Sequence, residues 1–383
     1  MNNSVLCKSA AGRESLRVIE VLKGAGHIAY LAGGCVRDSL LGKKPKDFDV
    51  ATDAVPDQVR EIFGRRHTLP IGAAFGVIAV VAKQPSREYL ITEVATFRSD
   101  GDYADGRRPD SVRFGNPEAD AMRRDFTING LFYDPEIQQV IDFVGGLEDL
   151  EQKQIRTIRS ADDRFGEDRL RMLRAVRFAA TLGYRIDDAT LDAIATHAPA
   201  ITVVSGERIG AELRRLFCAA NPRQGLQAMI QTDLYRHVLP LADASRMDWF
   251  CGFRHPEGPG DFIDELAAWL AGNPEWRKEL PDLVDRWRLS NQEADHAQFA
   301  MEHADTVIAA GKLPWSQVQP VVIDKRIHRS VHHAERIIAN SKIDIPQDGP
   351  AKVLDALTWP RDRLDPPPLI DGGDLQQMGY KPG

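Results

Sequence analysis

Two carboxylates one residue apart, Asp47 and Asp49, fall in the segment LAGGCVRDSLLGKKPKDFDVAT at residues 31–52. On a strand, positions i and i+2 project to one face, so both acids point the same way while Phe48 turns into a core. Such a pair repels itself unless a cation lies between, and Mg2+ takes hard oxygen ligands together with substrate phosphates. Two-metal phosphoryl transfer needs that arrangement, one ion lowering the pKa of the attacking hydroxyl and the other bridging a triphosphate. Just upstream, Gly33 and Gly34 lack a Cβ, so a phosphate can approach the backbone, and the first amides of the following helix point at that anion. Arg37, one turn inside, is placed for the outer phosphates. A glycine turn alone is often only a turn, and an isolated acidic pair is often a solvated strand; their combination in one short segment makes nucleotide chemistry the better reading.

The elements that must hold these groups are legible in outline. Ile28–Ala32 reads as a strand, Cys35–Leu41 as a short helix closed by Gly42, and Asp47–Ala51 as a second strand. β-rich runs follow at Phe75–Ala82 and Glu88–Phe97, so the part up to about residue 150 should be an α/β unit on a mixed sheet. From about residue 160 apolar residues recur at helical spacing, as in Leu170, Leu173, Val176 and Ala180, and strand signals vanish. Helices are expected over Glu207–Cys218, Pro222–Gln231, Asp261–Leu270 and Val331–Ser341, with breaks such as HPEGPG at 255–260.

The segment at 31–52 resembles the GGxVRDxLLGxxPxDxDxxT signature of the class II family that contains bacterial tRNA CCA-adding enzymes and poly(A) polymerases. MRRDFTING at 122–130 is similar to that family's RRDFTINA block, EDRLRMLRAVRF at 167–178 to its EDxxRxxRxxRF block, and the C-terminal LIDGGDLQQMGYKPG to its closing helical segment. Four motifs in order span nearly the whole chain. The resemblance implies an α+β protein: a mixed-sheet nucleotidyltransferase head over 1–150, a helical neck over 151–220 binding the base and RNA, and a helical body and tail over 221–383 binding tRNA. It implies that Arg124 contacts a nucleotide phosphate and Asp125 the ribose hydroxyls, a 2′-OH being what separates RNA from DNA precursors. Asp168 and Arg171, one turn apart, would read a base edge, the carboxylate accepting from an exocyclic amine and the guanidinium donating to ring acceptors. Cytosine and adenine present that pattern; guanine and uracil do not. Arg174 and Arg177 would extend the helix toward phosphates, or serve as surface ion-pair partners.

TFRSDGDYADGRRPDSVRF at 96–114, containing Asp102, Arg107 and Arg108, resembles the mobile loop of full CCA-adding members; a long hairpin connection is the plainer alternative. Glu93, on the strand before it, is an additional acidic candidate. Gly130 departs from the Ala usual in the family, EADAM before it is less acidic than the usual form, and the chain ends at Gly383 where relatives commonly continue through another helix.

Composition narrows the class. Net charge is -7, yet arginines cluster at 107, 108, 113, 123 and 124 and again from Arg156 to Arg177, which suits a local RNA site better than a basic coat. Four scattered cysteines without a CxxC pair, no secretory leader, and no apolar run near the ~20 residues that cross a bilayer point to a cytoplasmic protein without membrane association. The histidines make no HExxH or other metal pattern: His332 and His333, adjacent on a helix, point apart. The expected activity is template-independent addition of CCA to tRNA from CTP and ATP with Mg2+, with no obligate protein partner evident. Poly(A) synthesis, addition of CC or A alone, and a non-enzymatic RNA-binding protein are the alternatives; intact Asp47 and Asp49 count against the last.

Overall fold

The computed structural model describes Leu6 and residues 8–83, 89–100, 112–239, 244–253, 258–366 and 376–378. The chain divides into two compact units, Met1–Ser205 with Gln224–Leu239, and Gly206–Arg223 with Pro240–Gly383.

The first unit opens on helix α1 (Ala10–Gly24), started by Ser9, whose side chain accepts the Gly12 amide, and burying Val18, Ile19 and Leu22 on one face. Strand β1 (Ala29–Ala32), helix α2 (Gly34–Leu40), β2 (Asp49–Thr52), helix α3 (Pro56–Phe63), β3 (Thr68–Gly72), β4 (Val77–Lys83) and β5 (Tyr89–Thr96) follow. After β6 (Arg98–Asp100) and β7 (Val112–Phe114), strands β8 (Phe132–Asp134) and β9 (Gln139–Ile141) complete a seven-stranded sheet in the order β3-β4-β5-β2-β1-β8-β9. Only the β2–β5 pairing is parallel, so the sheet is mixed, as expected.

Helix α1 packs over β5, on the face that buries Thr92, Val94 and Thr96, and α3 packs beside it over β4 and β3. The opposite face carries Asp49, Ala51 and Glu93. On its β1–β8 side it is closed by Ala32, Ala51, Phe97, Ala121 and Phe132, with the Phe97 and Phe132 rings edge to face at 5.9 Å.

Three expectations need correction. Strand β2 starts at Asp49, not Asp47, because Asp49 is the first residue with a partner: it pairs with Ala32, where β1 ends and Gly33 turns away. The run beginning at Phe75 is first a 3-10 turn over Ala73–Phe75, and β4 starts only after Gly76 at φ +81. A strand also appears past residue 160, since Arg185–Ile186 pairs in parallel with Gln154–Ile155.

The helices that follow in the first unit include α4 (Ala161–Glu167) and α5 (Leu170–Leu182), the latter capped by Gly183 at φ +72. The expected helix Pro222–Gln231 forms with those bounds. In the second unit, α6 (Gly206–Phe217), α7 (Phe262–Ala271) and α8 (Trp276–Trp287) enclose an aromatic core in which Phe217 lies 5.3 Å from Trp269 and 5.8 Å from Trp287. Helix α9 (Asn291–Ile308) is opened by a Ser290–Glu293 capping box and packs along α10 (Ile327–Asn340). On α10 His333 is buried while His332 reaches Asp264 at 3.1 Å, so the two do point apart.

Candidate active site

A cleft of about 560 Å³ opens in the first unit where β1, β2 and β5 meet the start of α5. Among its lining residues are Gly33, Gly34, Arg37, Asp49, Glu93, Arg124, Asp125, Asp168, Arg171, Arg174 and Arg177. Tertiary structure thus gathers nearly all of the candidate residues into one place. Asp47 is the exception: it is exposed just ahead of β2 and outside the cleft wall, although near enough to raise the Asp49 pKa. Asp102, Arg107 and Arg108 lie outside the described residues. The ends of their segment form an antiparallel ladder, Arg98 opposite Phe114 and Ser99 opposite Arg113, so it is entered and left through paired strands.

The carboxylate floor is set by strand register. Antiparallel pairing places Asp49 opposite Ala32, beside the glycine turn, and parallel pairing of Val50 with Val94 brings Glu93 alongside Asp49. The Asp49 carboxyl is pushed up to about 6, first by desolvation, then by the charge of Glu93, with Asp47 adding and Arg124 opposing. Negative charge has been concentrated there beyond what the arginine cancels, which is the condition a hard cation relieves. Among the described residues no three His, Cys, Asp or Glu side chains converge as a complete ligand set. The donors therefore suit an ion held by one or two carboxylates that completes its shell with phosphate oxygens and water, as Mg2+ does.

Gly33 has φ +72 and ψ -128, and a Cβ there would come within 2.8 Å of Arg124 Nη1. The backbone conformation requires glycine, and a side chain there would also push the Arg124 guanidinium from its place. Arg124 is fixed by Asp120, which is buried and accepts from Arg124 Nη2 at 2.9 Å and from Arg123 Nη2 at 2.7 Å. Arg37 does not extend freely toward a ligand: it donates to Asp38 at 2.7 Å and to Asn129 Oδ1 at 2.5 Å, and lies 5.0 Å from the Phe178 ring.

Asp125 is similarly engaged. One carboxylate oxygen accepts from the Phe126 amide and from Asn129 Nδ2, the other from Arg174 Nε and Nη2. Burial opposes the charge, but Arg174 and Asn129 overcome it and hold the carboxyl well below the usual range. Asp168 is not on a helix with Arg171; it sits at the joint between α4 and α5, where Oδ1 accepts the Leu170 amide. Arg171 is anchored through Nη1 to Glu167 at 2.6 Å.

Two cleft residues escaped the sequence reading, although both stood inside quoted motifs. Asn129 links Arg37 to Asp125, and its carbonyl accepts from Arg124. Phe178 presents its ring to Arg177 at 3.8 Å and to Arg174 at 5.6 Å. The available signal was position within RRDFTING and EDRLRMLRAVRF; nothing in the residue types says that an asparagine joins two charged partners.

Gly130, the departure noted above, has a packing reason. A Cβ on it would fall 2.6 Å from Val144 Cγ2 and 3.2 Å from Ile158 Cδ1, so larger neighbours occupy the room of an alanine methyl.

A mixed sheet carrying an acidic floor, a glycine turn at its edge and an arginine wall from a following helix defines a nucleotidyltransferase head. Residues 29–156 match the family model described as "Poly A polymerase head domain", and 183–245 that described as "Probable RNA and SrmB- binding site of polymerase A". The CCA-adding enzyme of Lactiplantibacillus plantarum is 41% identical over 299 residues, covering 74% of this chain and 69% of the relative. That of Geobacillus thermodenitrificans is 37% identical over 299 residues, covering 74% and 68%. The crystal structure of the Bacillus stearothermophilus CCA-adding enzyme in complex with CTP superposes with a TM-score of 0.78 at 28% identity, covering 98% of this chain and 89% of that one. The chain belongs to the class II tRNA nucleotidyltransferase and poly(A) polymerase family.

Proposed function

We propose that this protein adds CCA to the 3′ end of tRNA, without a nucleic-acid template, from CTP and ATP. The observation that carries the reading is the convergence in one cleft of Asp49 and Glu93, a glycine turn and six arginines, in a chain with CCA-adding enzymes among its matched relatives. Asp47 and Asp49 would hold Mg2+, with Glu93 adding to the field; the ion would supply charge neutralisation at the triphosphate and a more acidic acceptor hydroxyl. Gly33 and Gly34 let phosphates approach the backbone, and Arg37 and Arg124 supply positive charge beside them. Asp125, through Arg174 and Asn129, fixes the wall against which the ribose lies. Asp168 and Arg171 select the base, and Arg177 adds charge beside Phe178. Such a site works by positioning and charge compensation rather than by covalent chemistry.

In the same reading residues 1–150 are the catalytic head, 151–220 a neck that reads the base, and 221–383 a body and tail that hold tRNA. Asp102, Arg107 and Arg108 belong to the segment that resembles the loop of full CCA-adding members, which favours addition of the complete CCA over CC or A alone. The protein would act in the cytoplasm; among the described residues no helix is long and apolar enough to cross a membrane.

The test is incorporation of each labelled NTP, alone and in pairs, with Mg2+, into tRNA ending before its CCA, tRNA ending in C, and an unrelated RNA. Two C and one A added to tRNA alone, followed by a stop, is the expected result. Long A tracts on any RNA would show a poly(A) polymerase instead.

A further inference from the structure

The sheet face that carries Asp49 and Glu93 continues beyond the cleft, over β5, β4 and β3. Residues alternating with the buried set on β5 share the Glu93 face, and two of them are large and apolar: Ile91 is 60% exposed and Tyr89 63%. Register extends the surface sideways. Val81 is opposite Ile91, Lys83 opposite Tyr89, and Ala79 is opposite both Glu93 and, on β3, Leu69, which is 50% exposed. The β1–β8 side of this face is closed by the Phe97–Phe132 cluster, whereas the β3–β5 side is open.

An exposed apolar tract on a sheet usually marks a contact surface, and its charge setting says which kind. In a chain where most described arginines are ion-paired, Lys83, Arg65 and Arg66 have no ion-pair partner among the described residues. They lie together at the far end of the tract: Thr68 pairs with Val80, so the turn Arg65–His67 ahead of β3 falls on the Lys83 side. The track thus begins at the acidic floor, runs over Ile91 and Tyr89 for about 13 Å at the strand rise per residue, and ends in the positive charge of Lys83, Arg65 and Arg66. An aromatic and apolar platform leading to cations is the pattern that binds single-stranded nucleic acid, bases stacking on the rings and phosphates meeting the charges.

We infer that this face binds the unpaired 3′ end of the acceptor RNA, with Tyr89 and Ile91 supporting its last bases and Lys83, Arg65 and Arg66 meeting its phosphates. The inference rests on the nucleotidyltransferase reading. The glycine turn with Arg37 and Arg124 takes the incoming triphosphate on the β1 side of Asp49 and Glu93, and the acceptor hydroxyl must then arrive from the other side, where the open face lies. Tyr89 and Ile91 act as positioning residues.

The test uses the full chain and tRNA lacking CCA. Tyr89→Ser, Ile91→Ser and Lys83→Ser are compared with Tyr89→Phe for tRNA Kd, KM for tRNA, and KM for CTP. All three sites are solvent-facing, and a thermal melt equal to the parent's confirms folding. Loss of a stacked base raises the tRNA Kd and KM about tenfold with KM for CTP unchanged, Tyr89→Phe restores them, and Lys83→Ser lowers the salt slope of log Kd by about 1. Unchanged tRNA Kd and KM in an enzyme that still adds CCA would overturn the inference. So would a parent dimer that Tyr89→Ser and Ile91→Ser convert to monomer, which would make the face a protein interface. If the parent adds nothing to tRNA yet binds it in a Tyr89-dependent way, the RNA face stands and the catalytic reading falls.

Discussion

Arg174 directs both Nε and Nη2 at a single oxygen of Asp125, at 2.8 and 2.6 Å, and so ties helix α5 to the segment following Arg124. Removing the guanidinium leaves a buried carboxylate with its strongest partner gone. Arg174→Ala should cost about 2 kcal/mol, less than for a fully buried pair because Arg174 is partly open to solvent, and should raise KM for both CTP and ATP. The sign for pH follows from the depressed Asp125 pKa. Its stabilisation is complete above the ordinary carboxylate range and is lost as pH falls toward its lower folded value. Urea midpoints from pH 7 to 3 should decline less steeply in Asp125→Asn than in the parent.

Asp47→Ala and Asp49→Ala should each lower nucleotide incorporation by at least ~10³-fold, as expected when charge compensation at phosphoryl transfer is lost, while leaving the tRNA Kd within about twofold. Filter binding beside single-turnover incorporation separates the two effects. A variant that retained substantial incorporation would remove that residue from the metal site.

Arg171→Ala should relax base choice. With Arg171 gone, the ring acceptors of cytosine and adenine lose a donor, so kcat/KM for CTP should fall by about 1–3 kcal/mol relative to that for UTP. Competition between labelled CTP and UTP on tRNA lacking CCA measures the ratio directly. An unchanged ratio would assign Arg171 to bracing Glu167 only.

Gly130→Ala should destabilise by about 1–3 kcal/mol through overpacking against Val144. Val144→Ala in the same chain should return much of that loss, since it vacates the space a methyl at 130 needs. A double-mutant cycle by thermal melting gives the coupling; additive losses would show that the pair is independent.

His333, buried on α10, has its pKa pushed down to about 3, first by desolvation and then by Arg336 and His332, against Asp264. The unfolded chain binds a proton near pH 6.5 that the folded chain refuses. Stability is therefore complete above about pH 6.5 and falls as pH drops from there toward 3. Replacing the ring in His333→Phe should flatten that part of the stability curve, as read from melting temperature between pH 7 and 5.

Local patterns revealed much of the head. Gly33 with φ +72 belongs to a turn that only glycine makes cheaply, and the acidic pair and both arginine blocks stand at short spacings in the chain. The start of β2 could not be read the same way. Asp47 and Asp49 look alike in a strand pattern, and only the end of β1 at Ala32 decides that pairing begins at the second. Asp168 and Arg171 look like one helix in sequence, yet the chain bends between α4 and α5 at Asp168, where backbone φ is -146.

The sequence by itself determined the chemistry on offer: carboxylates for a cation, glycines for a phosphate, arginines for charge, and a helical second half. Each of these depends on residue type and on neighbours within a turn or a strand. Tertiary structure decided which groups meet. The parallel β2–β5 pairing sets Glu93 beside Asp49, Asn129 joins Arg37 to Asp125, and β4 turns Tyr89 and Lys83 into one track. The first two join residues far apart in the chain and the third depends on how two neighbouring strands pair; strand register and side-chain packing set all three, so no periodicity in a single stretch of sequence encodes them.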